Sequence, residues 1–134
     1  MTDLNDIYSE RILALAANMP RTKRLSAPDA TASAHSKLCG SKITVDLTMA
    51  DGVVTDYGQT VKACLLGQTA AAVMGHEIIG RRADEIRAVG ATMRKMLKAD
   101  GPVPTGVWSD LAVLEAVRNY PQRHTSALLV FDAI

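Results

Sequence analysis

The sequence is poor in aromatics, poor in cysteine and nearly without net charge. Only five of its 134 residues are Trp, Tyr or Phe. No basic block is interleaved with them, so the stacking surfaces of nucleic-acid readers are missing. Lys and Arg number 15 against 14 Asp and Glu, a net charge of +1. That balance gives no electrostatic reason for a nucleic-acid or anionic-membrane partner. No apolar run approaches the roughly 20 residues that cross a bilayer, so no membrane association is expected. The opening MTDLNDIYSE is acidic and amphipathic, unlike a signal or transit peptide. Two cysteines without a secretory signal imply reduced thiols and a cytoplasmic setting.

Several catalytic patterns are missing as well. His76-Glu77 has no second histidine four residues on, which excludes a zincin helix. Gly40, Gly52 and Gly58 make no phosphate-cradling pattern, and no serine nucleophile elbow occurs. Asp and Glu are scattered without an acid–base pair. The chain reads as a non-enzyme.

What is present is an ordinary globular composition, 48% hydrophobic and 22% charged. The length fits a single domain spanning 1–134. Leu4, Ile7, Tyr8, Ile12 and Leu15 recur at helical spacing and predict a helix over 2–18, ended by Pro20. Residues 21–29 read as a loop and 30–36 as an edge strand. Ile43, Val45, Leu47 and Met49 alternate with Lys42, Thr44, Asp46 and Thr48, the signature of a half-buried strand. Asp51-Gly52 is a hairpin signal, and the β-branched run over 53–61 is the return strand.

After Cys64 the period becomes helical. Leu65, Thr69, Ala72, Val73, His76 and Ile79 share one face, which makes His76 a core histidine, and Gly80 stops the helix. Residues 83–99 predict a second helix with Ile86, Val89, Met93, Met96 and Leu97 inward, interrupted by Gly90. A Pro/Gly loop follows over 99–107. Ser109 then caps a short helix carrying Leu111, Leu114 and Val117, broken at Tyr120-Pro121. A last helix runs from about Ser126 to Ile134, its short end leaving Phe131 poorly covered and hinting at a dimer or larger assembly. Segregated strands and helices predict an α+β fold, a small antiparallel three-stranded sheet with helices packed on one face.

The candidate chemistry sits at Cys39 and Cys64. Cys39 precedes the second strand and Cys64 follows the third, so an antiparallel hairpin places both at one end of the sheet. Cys64 should stand just before a helix N-terminus, where the dipole and free N–H groups stabilise a thiolate, with Lys62 acting in the same sense. Soft thiolates suit zinc, copper(I) or iron–sulfur units, but a closed site generally takes four ligands. His124 and His35 are possible additions. Ser41 and Ser126 offer hydroxyls, which are poor ligands unless deprotonated. Two isolated cysteines are equally ordinary packing residues.

These residues also form an ordered set. Tyr8, Ile12-Leu13 and Pro20-Arg21 come first, then Cys39-Gly40 and the Asp51–Asp56 hairpin. Cys64-Leu65-Leu66-Gly67-Gln68-Thr69 follows, running into Ala70–Met74 and Gly80, and Tyr120-Pro121-Gln122-Arg123-His124-Thr125-Ser126-Ala127 comes last. Over nearly the whole chain this set resembles the U-type iron–sulfur cluster scaffold family: IscU, SufU and the N-terminal domain of NifU. The extra residues around 93–107 are similar to the SufU branch.

The resemblance implies a compact α+β fold with three cysteines and an aspartate at one end of the sheet. That site assembles a [2Fe–2S] cluster or, in the SufU branch, binds zinc, and it accepts sulfur from a cysteine desulfurase. Carried over position by position, the first two cysteines are Cys39 and Cys64. Ser41 stands at the aspartate position and Ser126 at the third cysteine. Thr125 replaces the preceding histidine of the IscU branch, and Tyr120-Pro121-Gln122-Arg123 replaces its chaperone-recognition stretch.

A serine hydroxyl has a far higher pKa than a thiol, so metal must do much more to ionise it. The expectation is a divergent scaffold with weak or partial metal, cluster or sulfur binding through Cys39 and Cys64, with Ser41, His124 and Ser126 as lesser candidates. The alternative is an interaction protein or accessory subunit that kept the fold and lost the chemistry. A Cys39–Cys64 redox switch is a third reading, requiring Cα atoms within about 7 Å.

Overall fold

Between residues 41 and 62 the apolar–polar alternation folds as one long hairpin around Asp51-Gly52. The computed structural model describes residues 10–36, 40–63, 65–99, 101–119 and 124–134. Strands β1 (Ala30–Ser36), β2 (Ser41–Ala50) and β3 (Val53–Lys62) form an antiparallel sheet in the order β1-β2-β3. Asp51 (φ 54°) and Gly52 (φ 78°) are both left-handed. Positive φ at both central residues is what a type I′ turn needs, and its twist matches the flanking strands. Ile43, Val45 and Leu47 pair with Val61, Gln59 and Tyr57 on the inner face. A bulge between Thr48 and Met49 keeps Met49 opposite Val54, so both ends of the hairpin point apolar residues inward.

The helices are α1 (Glu10–Ala17), α2 (Leu65–Glu77), α3 (Ala83–Lys98), a 3₁₀ helix (Gly106–Asn119) and α4 (His124–Ala133). The expected order of one helix, three strands and four helices therefore holds. Helix α2 packs on β3, and α4 packs on β1 and β2, giving the expected α+β arrangement. The first predicted helix extends into residues 2–9, which lie outside the described residues, as do Tyr8 and Tyr120–Arg123.

Four expectations need correction. Helix α2 is not amphipathic: Leu66, Gly67, Thr69–Met74 and Gly75 are all buried. Its small residues let neighbours approach from every side. The Thr69 hydroxyl donates to the Ile12 carbonyl of α1 (3.2 Å) as well as to its own Leu65 carbonyl (2.9 Å). A Cβ on Gly75 would come within 2.7 Å of Pro20. His76, assigned to the core from its spacing, is exposed at the end of this helix. The fourth helix is a 3₁₀ helix that starts at Gly106 rather than at a Ser109 cap. Trp108, Leu111 and Leu114 are buried, and their spacing of three is the repeat of a 3₁₀ turn, which stacks them on one face. Phe131, expected to be poorly covered, is buried.

Helix α3 follows its sequence closely. Ile86, Val89, Met93, Met96 and Leu97 are all buried, and the Glu85 carboxylate accepts from the Arg82 N–H at its start (3.3 Å). Gly90 sits mid-helix on the buried side, where glycine costs about 1 kcal/mol relative to alanine. A Cβ there would meet nothing closer than 3.4 Å, an Arg94 guanidinium nitrogen.

The outer face of the sheet is covered around Asp46 and Gly58. After Pro20 the chain crosses it as a strap. The Gln59 N–H donates to the Arg21 carbonyl (2.9 Å), and a Cβ on Gly58 would stand 2.2 Å from the Lys23 carbonyl oxygen. Gly58 is therefore the gap through which the strap reaches Asp46, its partner on β2.

Candidate metal and sulfur site

Register decides which residues can meet. Ser36 pairs with Ser41, and Lys42 pairs with Lys62. The start of β2 and the end of β3 thus lie at one end of the sheet, as the hairpin argument requires. Cys39 and Cys64 lie outside the described residues. Their described neighbours, Gly40-Ser41 and Ala63 with Leu65, flank this end. Gly40 has φ 69°, a left-handed conformation that glycine adopts without a steric cost. A Cβ there would meet nothing within 4 Å, so the requirement is dihedral rather than spatial.

Helix α2 begins at Leu65, immediately after Cys64 in sequence. The Gln68 amide donates to the Ala63 carbonyl (2.9 Å) and ties the end of β3 to the first turn. No acidic residue stands in that turn, so nothing there opposes the positive end of the helix dipole.

Ser41 is buried to 3% exposure, on β2. His124 is buried to 7% and opens α4. Phe131 and Ile134, at the far end of α4, line a cavity with Ala30, Leu47 and Met49 near the hairpin turn. His124 therefore lies roughly 10 Å back along the helix from Phe131, toward the Ser41 end. Ser126 stands in the first turn of α4; its side chain lies outside the described residues. His35 is exposed on β1 opposite Lys42. Among the described residues, no three His, Cys, Asp or Glu side chains gather as a metal site.

Among the described residues, the groups whose ionisation the fold perturbs lie elsewhere. Asp46 reads from its alternation as a solvent-facing residue, yet its side chain is fully buried beneath the strap. Arg24 donates to it through Nε and through Nη2 (3.1 Å), the Leu25 N–H at 3.1 Å and the Thr31 hydroxyl at 2.6 Å. The Arg24 hydrogen bond holds its pKa down at about 2, supported by Thr31 and Leu25 and opposed by burial. Burial pushes the Tyr57 phenol well above its usual range. Its hydroxyl donates to Gln59 Oε1 (3.0 Å), while Gln59 Nε2 donates to the carbonyls of Pro20 (3.2 Å) and Ala71 (3.1 Å). Gln59 thereby locks β3, α2 and the exit from α1 together. Sequence reasoning missed both polar anchors. The only signal for Asp46 was a lone acid in a strand together with the basic run Arg21–Arg24.

No family model matches the chain. The chain is 30% identical over 130 residues to the iron-sulfur cluster assembly scaffold protein IscU of Thermotoga maritima, covering 96% of this chain and 89% of that protein. It is similar to the crystal structure of a nitrogen-fixing NifU-like protein (N-terminal) from Brucella abortus. The two share 53% identity with a TM-score of 0.95, over 97% of this chain and 90% of that one. A putative iron-sulfur cluster assembly scaffold protein for the SUF system from Fervidobacterium islandicum superposes with a TM-score of 0.86 at 20% identity. It covers 98% and 96% of the two chains, a likeness of fold.

Proposed function

The chain belongs to the U-type iron–sulfur cluster assembly scaffold family, and we propose that it works as a divergent scaffold whose cargo is held weakly by Cys39 and Cys64. The single observation that supports this site is the register pairing Lys42 with Lys62, which brings the flanks of both cysteines to one end of the sheet. In this reading the cargo is a [2Fe–2S] cluster or zinc, or sulfur received as a persulfide. The chain carries it without catalysing a reaction, as a single domain over 1–134 in a cytoplasmic setting. Its working partner is a cysteine desulfurase, with a homodimer or larger complex supplying further contacts.

The residues at the remaining ligand positions explain the weakness. Ser41 presents a hydroxyl in a buried position, where creating an alkoxide is costly. A thiolate ionises far more readily, and soft metal prefers it. His124, at the head of α4, is the described imidazole that lies toward the Ser41 end and can contribute a neutral nitrogen ligand. Ser126 replaces a soft ligand with a hard one in the same first turn.

The serine at position 41 also favours a second reading, in which the fold serves as an interaction module without cargo. Sulfur transfer separates the two. The chain is incubated anaerobically with a cysteine desulfurase, cysteine, ferrous iron and dithiothreitol, whose thiols supply the electrons that reduce persulfide sulfur to sulfide, and protein-bound sulfide is followed against time. The scaffold reading expects sulfide on the wild type, its loss in Cys39→Ala and Cys64→Ala, and at least tenfold slower release to a chelator in Ser126→Cys. A wild type that gains no sulfide would establish the interaction module instead, and sulfide that persists unchanged in the double alanine variant would overturn the assignment of the cargo to Cys39 and Cys64.

A further inference from the structure

The rung that brings the cysteine flanks together also carries an unbalanced charge. His35 pairs with Lys42, and Lys42 pairs with Lys62. An imidazole and two ammonium groups, one from each strand, therefore stand side by side across the whole sheet. All three residues are exposed. They lie on the outer face, since Lys42 is four residues from Asp46 along β2 and Lys62 four from Gly58 along β3. Like charges directly opposite on neighbouring strands are destabilising. The next rung, Ser33, Thr44 and Thr60, carries hydroxyls instead, and Ser33 and Thr44 are hydrogen-bonded at 2.9 Å. The fold therefore does not require lysine here. Lysine commonly guards a sheet edge against unwanted pairing, but Lys42 is on the central strand. The acids farther along this face are already engaged, Asp46 by Arg24 and Asp56 by Arg21 at 3.6 Å. Among the described residues, no acid pairs with Lys42 or Lys62.

We propose that this face binds an acidic segment of a partner protein, its carboxylates lying across the row of His35, Lys42 and Lys62. The row spans two strand gaps, about 10 Å. Alternate residues of an extended peptide stand about 7 Å apart on one side, so two acids at that spacing reach every member of the row. Their carboxylates remove the repulsion between Lys42 and Lys62 that the free chain bears, and the exposed Thr60 hydroxyl beside the row adds a further donor. Beside the row, the described residues of this face offer no ring on which a nucleic-acid base could stack, because Tyr57 is buried on the inner face. They offer no apolar side chain to enter a bilayer either. This surface is independent of the scaffold reading.

The test is fluorescence anisotropy of a fluorescein-labelled ten-residue Glu-Thr repeat titrated with the full chain, alongside thermal unfolding. The peptide is expected to bind at about 10 mM salt. It should bind about tenfold more weakly at about 0.1 M, as the Debye length falls from about 30 Å to about 10 Å. Lys42→Thr combined with Lys62→Thr should weaken it about tenfold, while the Tm stays level or rises by about a degree. Lys62→Glu, which sets an acid opposite Lys42, should weaken it at least as much and raise the Tm. Arg87→Gln combined with Lys98→Gln, at exposed positions on α3, removes the same charge and should leave binding within about twofold. No binding at low salt, full binding by the double threonine variant, or an equal loss in the α3 variant would overturn the proposal. A Tm lowered by the threonine substitutions would do the same, because the lysines would then serve the fold. An oligothymidylate of equal charge bound as tightly as the peptide would overturn the assignment to an acidic protein segment.

Discussion

Strand β2 buries two polar side chains and treats them in opposite ways. Asp46, on the outer face, is ionised and receives four hydrogen bonds from Arg24, Leu25 and Thr31. Ser41, where β2 begins, is buried and carries no charge. The buried carboxylate of this strand thus belongs to the fold, and in the proposed scaffold the position beside the cargo carries no charge. The most perturbed acid in a molecule is often taken as a pointer to its site. Here it marks a strap that pins the entry loop over the sheet, because a buried ion pair perturbs a pKa as effectively as a site does.

The largest effect that tests this contrast is expected from Asp46→Ala. Removing the acid leaves the half-exposed Arg24 guanidinium and two part-buried donors without their acceptor, at a cost of about 3 kcal/mol in urea unfolding. Iron bound through the cysteines should not change. The acid limb of stability should depend on the same residue. The Arg24 hydrogen bond holds the folded Asp46 carboxyl down at about 2, against the ordinary aspartate value of 3.8 in the unfolded chain. Between those values the unfolded chain binds more protons, so this contribution is complete above about pH 4 and is lost as pH falls through about 2. Asp46→Asn should flatten the urea midpoint over that window, and a variant as pH-dependent as wild type would break the assignment.

Gly58→Ala comes next, because its Cβ would stand 2.2 Å from the Lys23 carbonyl. Displacing the strap should cost about 2 kcal/mol, read as a lower Tm and faster proteolysis after Lys23. The smallest effect is expected at the other end of β2. Gly40→Ala forces an alanine to φ 69° and should cost about 1 kcal/mol, yet it should disturb iron binding more than either strap variant. A Gly40→Ala protein with wild-type iron content would remove Gly40 from the site.

Strand content was legible because it rests on local chemistry. The alternation from Ile43 to Met49 and the Asp51-Gly52 turn fix pairing between near neighbours. Helix α3 was legible because one face is apolar. Helix α2 was legible as a helix but its packing was not, since a central helix buried all round carries no periodic contrast, and a face drawn through His76 was arbitrary. The strap over Asp46 was illegible for a different reason. It depends on the absent side chain of Gly58 and on a loop 21 or more residues away in sequence, which no local pattern encodes. At the site, the ordered motifs pointed to Cys39 and Cys64, which lie outside the described residues; the register of β2 on β3 brings the residues that flank them to one end of the sheet.

The central claim is that Cys39 and Cys64 form a working but depleted site. Its most direct test is iron and acid-labile sulfide content, with a visible absorption spectrum, on protein purified without oxygen. Substoichiometric iron and sulfide, lost in both Cys39→Ala and Cys64→Ala and raised in Ser126→Cys, is the expected result. A colourless, metal-free wild type after reconstitution, or iron that survives both cysteine substitutions, would contradict it.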